Sequence, residues 1–151
     1  MVDTDKKSFG QIMRIDKLTS KLQLALADAQ SMALGKEHNL IGSTHLILAL
    51  IDQKGGSVRP LLSQTGFNVA ELREQLTKAI DDLPRVPDNE GEISLSPDLA
   101  LILNGADKFA QQKGDSFISS EPILLVAMND KGAVGKILSG FGVSPQALEN
   151  A

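Results

Sequence analysis

The sequence predicts an all-α fold, a pseudo-twofold duplication of a four-helix repeat with about eight helices in one domain. Three observations lead there. Hydrophobic residues make up 42 % of the 151 positions and aromatics only 3 %, so Leu, Ile, Val, Ala and Met must fill the core, as in packed helices. The chain also aligns with itself at an offset of 77 from Leu18 to Gly55, with twelve identities in 38 positions, among them Leu22 on Leu99, Leu24 on Leu101, Ala29 on Ala106, Ile41 on Ile118 and Leu48 on Leu125. After Gly56, an extra residue of the first copy, the match resumes at an offset of 76, with Leu62 on Leu138 and Gly66 on Gly142. Finally, apolar residues recur at i, i+3, i+4 and i+7 in both copies, and nothing alternates as a strand. Two repeats are too few for a solenoid and neither buries its apolar faces alone, so they are expected to pack face to face.

Each copy reads as four helices. The first runs from about Thr19 to Leu34 on a stripe of Leu22, Ala25, Leu26, Ala29, Met32 and Ala33; its counterpart carries Leu99, Ile102, Leu103, Ala106, Phe109 and Ala110. Thr19 and Ser96 share one repeat position as N-caps, and Pro97 suits a first helical residue. The second helix starts at Ser43 or Ser120. The third, about Val58 to Gln64 and Val134 to Ser139, ends at Gly66 and Gly142. The fourth spans about Val69 to Leu83, and its copy is cut off at Ala151. This divides the chain into repeat one (18–83), an exposed linker (84–94) and repeat two (95–151), with a disordered extension at 1–12.

The chemistry available is narrow. Without cysteine there is no disulfide, thiolate metal site or Cys nucleophile, and His38 and His45 lack the spacing of metal ligands. No metal is assigned. Gly135-Lys136 lacks the earlier Gly and the Ser/Thr of a phosphate loop, so no cofactor is expected in this chain and ATP hydrolysis is excluded. A net charge of −4 without a clustered basic face argues against a nucleic-acid partner. No apolar run approaches a membrane span, and the reading is of a soluble cytoplasmic chain. Leu24 and Leu101 each lie two positions from a core Leu, roughly 200° round the helix. Each first helix is then either buried on all sides or part of an apolar groove open to a partner's extended segment.

Leu22-Gln-Leu-Ala-Leu-Ala-Asp-Ala-Gln-Ser-Met-Ala-Leu34, Thr44-His-Leu46, Gly55-Gly-Ser-Val58 and Gly114-Asp-Ser-Phe-Ile-Ser-Ser-Glu121, in this order, resemble the Clp N domain, the amino-terminal domain of the ClpB disaggregase family. The resemblance covers about residues 13–151 and implies a pseudo-twofold pair of four-helix repeats. It further implies a non-catalytic domain on a hexameric AAA+ ring that meets unfolded or aggregated client proteins and passes them to the pore. ATP and Mg would be used by ring modules absent from this chain. The resemblance places client handling at Thr19, Asp115 and Glu121, with Leu103 and Pro122 bordering an apolar groove; Pro122 stands where the family commonly has a larger apolar side chain. Structural roles suit the same residues: Thr19 as N-cap, Asp115 as turn residue, Glu121 as a first-turn acid, Pro122 in a helix's first turn. The alternative is an adaptor-docking domain of a protease-associated Clp unfoldase, which would bind one folded partner. A small stand-alone enzyme finds no nucleophile constellation to support it.

Overall fold

The computed structural model describes residues 15–87 and 93–150. The proposed extension at 1–12 lies outside these residues, as does most of the second half of the linker. A single 3-10 turn, Ile15–Lys17, leads into eight α-helices among the described residues: α1 (Ser20–Gly35), α2 (Ser43–Asp52), α3 (Val58–Thr65), α4 (Val69–Asp81), α5 (Pro97–Gln112), α6 (Ser120–Met128), α7 (Ala133–Ser139) and α8 (Pro145–Glu149). The bounds of α1 and α5 differ by 77 residues at both ends, so the sequence repeat is a structural one. Thr19 and Ser96 cap these two helices, each side chain accepting from the amide three residues on at 3.3 Å.

The expected all-α fold is observed, with one small addition that the sequence reading lacked. Leu40–Ile41 (β1) and Ser94–Leu95 (β2) pair as parallel strands, Ile41 opposite Leu95, and Leu18 forms a parallel bridge to Ile118. A strand of two residues is too short for alternation to show. The two pairings are copies of one another, since Leu95 is the repeat partner of Leu18 and Ile118 that of Ile41. The Ser96 amide donates to the Ile41 carbonyl at 2.9 Å, and the equivalent Thr19 amide donates to that of Ile118 at 3.0 Å. Each repeat thus completes the other's strand, as a twofold axis between the repeats requires. Part of the expected linker is accordingly docked: Ile93 is buried, Ser94 is in the strand, and the Val86 amide donates to the Glu37 carbonyl at 2.6 Å.

The core sits between the repeats. Leu22, Leu26 and Ala29 of α1 are buried, and so are Leu99, Leu103 and Ala106 at the equivalent places of α5. The second helix of repeat one, α2, is buried along nearly its whole length, because α1, α4 and residues of repeat two surround it. It forms the axle of the domain. Each fully buried Leu or Ile removes apolar surface worth about 1.5–3 kcal/mol from water. Phe67 and Phe141 meet near the ends of α3 and α7 with ring centroids 5.6 Å apart.

Leu24 and Leu101 resolve the two accounts left open above. They are 61 % and 68 % exposed, so burial on all sides is incorrect. Neighbouring helices cover the core stripe of α1 and α5 and leave the opposite face to solvent.

Candidate functional site

The loop from α5 to α6 and the first turn of α6 bring part of the expected site together. The left-handed Gly114, at φ 76°, turns the chain away from α5, and the Asp115 amide donates back to the Ala110 carbonyl at 2.9 Å. Ser119 precedes α6, which opens with Ser120, Glu121 and Pro122; Pro fits there because the first turn has no use for its missing amide proton. Asp115, Glu121 and Pro122 line one groove with Phe109, Lys113, Ser119 and Leu125. Leu61 of repeat one and Leu148 and Glu149 of α8 complete it, enclosing about 140 Å³. The half-exposed Phe109 and Leu125 give it apolar surface, Pro122 and Leu148 lie buried beneath, and its rim carries the exposed carboxylates of Asp115 and Glu121. Lys113 lies over the Phe109 ring, its Nζ 4.9 Å from the centroid.

Two expected residues lie elsewhere. Leu103 is 2 % exposed on the core face of α5 and does not border the groove; truncating it would open the core rather than the binding surface. Thr19 is half-buried and spent on local structure: its hydroxyl caps α1 while its amide holds Ile118, three residues past Asp115. It fastens the loop that carries Asp115 without lining the groove. Phe109 and Leu125 line the groove in a way the periodicity did not distinguish from core. Phe109 continues the buried stripe of α5, but in the last turn of that helix it is half-exposed, lining the groove together with Leu125 of α6.

The twofold relation gives this groove an internal comparison. Asp115, Glu121 and Pro122 are the repeat partners of His38, Thr44 and His45. In repeat one all three are buried, with His38 3 % and His45 0 % exposed, whereas in repeat two Pro122 is buried and the two carboxylates are exposed. The His45 ring Nδ1 accepts from the Gly42 amide at 2.8 Å, the part that Glu or Gln plays in a capping box, and its Nε2 lies 3.0 Å from His38 Nδ1. An Nδ1 occupied as an acceptor puts the proton of neutral His45 on Nε2, so His45 donates to His38. Burial, reinforced by the neighbouring His38, holds His45 down to about 4. His38 is also lowered, first by burial and then by Arg85 and Lys36. The place that is an open groove in repeat two is thus filled by an imidazole pair in repeat one.

Among the described residues, no group of three or more His, Asp or Glu converges. No helix of the described residues is long and apolar enough to cross a membrane.

Comparison with known proteins agrees with this architecture. Residues 17–141 match the Clp repeat (R) N-terminal domain. The chain is 55 % identical over 139 residues to the chaperone protein ClpB of Pseudomonas putida and 44 % identical over 139 residues to that of Vibrio cholerae, covering 92 % of this chain but 16 % of each relative. It therefore spans about one sixth of these proteins' length. Among solved structures, the N-domain of ClpV from Vibrio cholerae superposes with a TM-score of 0.77 at 23 % identity, covering 99 % of this chain and 90 % of that one. The Hsp104 N-terminal domain from Candida albicans gives 0.75 at 19 %, covering 89 % and 87 %. A ClpV N-domain solved in complex with a VipB peptide gives 0.72 at 20 %, covering 100 % and 97 %. With its duplicated four-helix repeat and a family match over most of its length, the chain belongs to the Clp repeat N-terminal domain family.

Proposed function

We propose that this chain is the client-receiving domain of a ClpB-type disaggregase. It binds exposed apolar segments of unfolded or aggregated proteins at the α5–α6 groove and hands them to a hexameric AAA+ ring in the cytoplasm. The nucleotide chemistry belongs to that ring and not to this domain. One observation carries the reading: the half-exposed Phe109 and Leu125 stand in an open groove beside the two exposed carboxylates of Asp115 and Glu121, while their counterparts at the equivalent place in repeat one, His38 and Thr44, are buried. A shallow groove without a deep polar pocket suits weak contact with many sequences rather than one ligand. The peptide complex of a ClpV N-domain supports peptide binding by this fold. Thr19 acts by holding the groove's loop in place.

The test is binding of a panel of unrelated, permanently unfolded peptides to the chain and to its Asp115→Ala/Glu121→Ala variant, followed by fluorescence anisotropy. The expected result is mutual competition among the peptides and weaker binding of all of them by the variant. Unchanged binding by the variant rejects the site. Binding of one folded partner and of none of the peptides replaces this reading with adaptor docking.

A further inference from the structure

The buried histidine pair joins three separate parts of repeat one. His38 lies in the turn after α1, which is held by the His38 amide donating to the Ala33 carbonyl at 2.8 Å. His45 lies in the first turn of α2 and fixes its start through Gly42. The connection after α4 docks on the same turn through the Val86 amide, and Arg85 reaches the Glu37 carboxylate at 3.4 Å. The turn is strained as well: Glu37 has φ 62°, a left-handed conformation that costs a residue with a Cβ, where repeat two has Gly114.

Proton counting fixes what this arrangement tolerates. With His45 Nδ1 facing the Gly42 N–H, the Nε2 proton must point at His38 Nδ1, which must therefore be bare. A proton added to His38 Nδ1 sets two N–H groups against each other at 3.0 Å. Shifting the His45 proton to Nδ1 relieves that clash and sets two N–H groups against each other at Gly42 instead. Protonating His45 itself has the same result. No singly protonated form keeps both links.

We propose that His38 and His45 form an acid-sensitive latch, in which adding one proton to the pair releases the turn at residues 36–39 and the connection at residues 84–87 from the start of α2. Among the described residues, the charges facing the pair are Lys36 and Glu37 on the turn, Arg85 on the connection, Asp81 at the end of α4 and Asp98 at the start of α5. Lys36 is in turn engaged by Asp81 at 2.7 Å, and Asp98 accepts from Ser43 at 2.5 Å and from Ser96, so neither carboxylate is free to receive an imidazolium. Both imidazoles are less basic folded than unfolded. The stability they contribute is therefore fully present above the ordinary imidazole value of 6.5 and is lost as pH falls from there towards the folded values, about 4 for His45. The groove of repeat two has no such pair, since Asp115 and Pro122 stand where repeat one has His38 and His45.

The experiment is amide hydrogen exchange of the 151-residue chain at pH 7.5 and pH 5, corrected for intrinsic exchange rates. Val86 is the probe and Ala106, in the middle of α5, the control. Protection of Val86 is expected to fall by about tenfold or more relative to Ala106, a proton-linked change set by the separation of the folded and unfolded pKa values. The variant His38→Asn/His45→Gln keeps an acceptor for the Gly42 amide but does not titrate, and its Val86 protection is expected to be the same at both pH values. A fall at Val86 no greater than at Ala106, or an equal fall in the variant, overturns the proposal. Should the variant not fold, nitrogen-15 NMR of the wild-type imidazoles decides. Titration of both rings below 6.5 with His45 in the Nε2–H form supports the latch, and titration at or above that value rejects it.

Discussion

Gly135 lies against the backbone carbonyl of Asp130 so closely that a Cβ on Gly135 would fall 1.7 Å from that oxygen. The glycine that suggests a broken phosphate loop in the sequence is there to let the chain fold back on itself at the start of α7. Backbone cannot yield as a side-chain end can, so Gly135→Ala must displace the whole turn. We expect a loss at or above the upper end of the usual overpacking range, about 3 kcal/mol, measured by urea unfolding. A loss below about 1 kcal/mol would show that the turn is soft.

The two faces of α1 and α5 separate in the same measurement. Leu26→Ala and Leu103→Ala each remove a side chain from the shared core and should each cost about 2–5 kcal/mol. Leu24→Ala and Leu101→Ala remove leucines that are mostly in water and should stay within about 0.5 kcal/mol of the parent. A large loss at Leu101 would mean that its exposed face is covered in solution.

Glu37 offers a stabilising change. Its left-handed backbone suits glycine, and the exposed Arg85 pair it would forfeit is worth little. Glu37→Gly should raise stability by roughly 0.5–1 kcal/mol, the relieved strain being partly offset by a freer unfolded chain. Thermal unfolding of the single variant checks the sign.

Asp115→Ala and Glu121→Ala act on an exposed rim, where only a turn or helix-start contribution is at stake. Each should cost about 0.5–1 kcal/mol or less and leave the melting temperature within a few degrees of the parent. A substantial fall in melting temperature would assign the two acids to the fold rather than to the rim of a binding groove.

Much of this architecture is legible in the chain, for identifiable reasons. The self-alignment exposes the duplication because the core positions of α1 and α5 face one shared interior and accept the same residues, Leu22 and Leu99 or Ala29 and Ala106. Thr19 and Ser96 are visible as caps because the first turn of a helix needs a side-chain acceptor. The strands escape notice, since Ile41–Leu95 and Leu18–Ile118 are held by backbone bonds over one or two residues and leave no pattern in side chains. The groove is only half legible. Asp115, Glu121 and Pro122 do lie together, but apolar spacing cannot tell Leu103, buried in the core, from Phe109, six residues later and half-exposed at the groove. The partnership of His38 with His45 depends on a turn's path in space, which seven intervening positions do not encode.

The exchanged pairings, Ile41 on Leu95 and Ile118 on Leu18, follow the pattern of an isologous homodimer, residue i on j and j on i, within one polypeptide. A dimer of identical subunits must show every surface feature twice, and any ligand it takes it takes in pairs. Joining the two halves in one chain removes that obligation, so Asp115 and Glu121 can stand at an open groove while His38 and Thr44 are sealed at the matching place. On the proposed reading, the domain is thereby monovalent despite its symmetry. On that same reading, how many contacts an assembly makes with one extended chain is set by how many such domains are gathered together, not by the twofold within each.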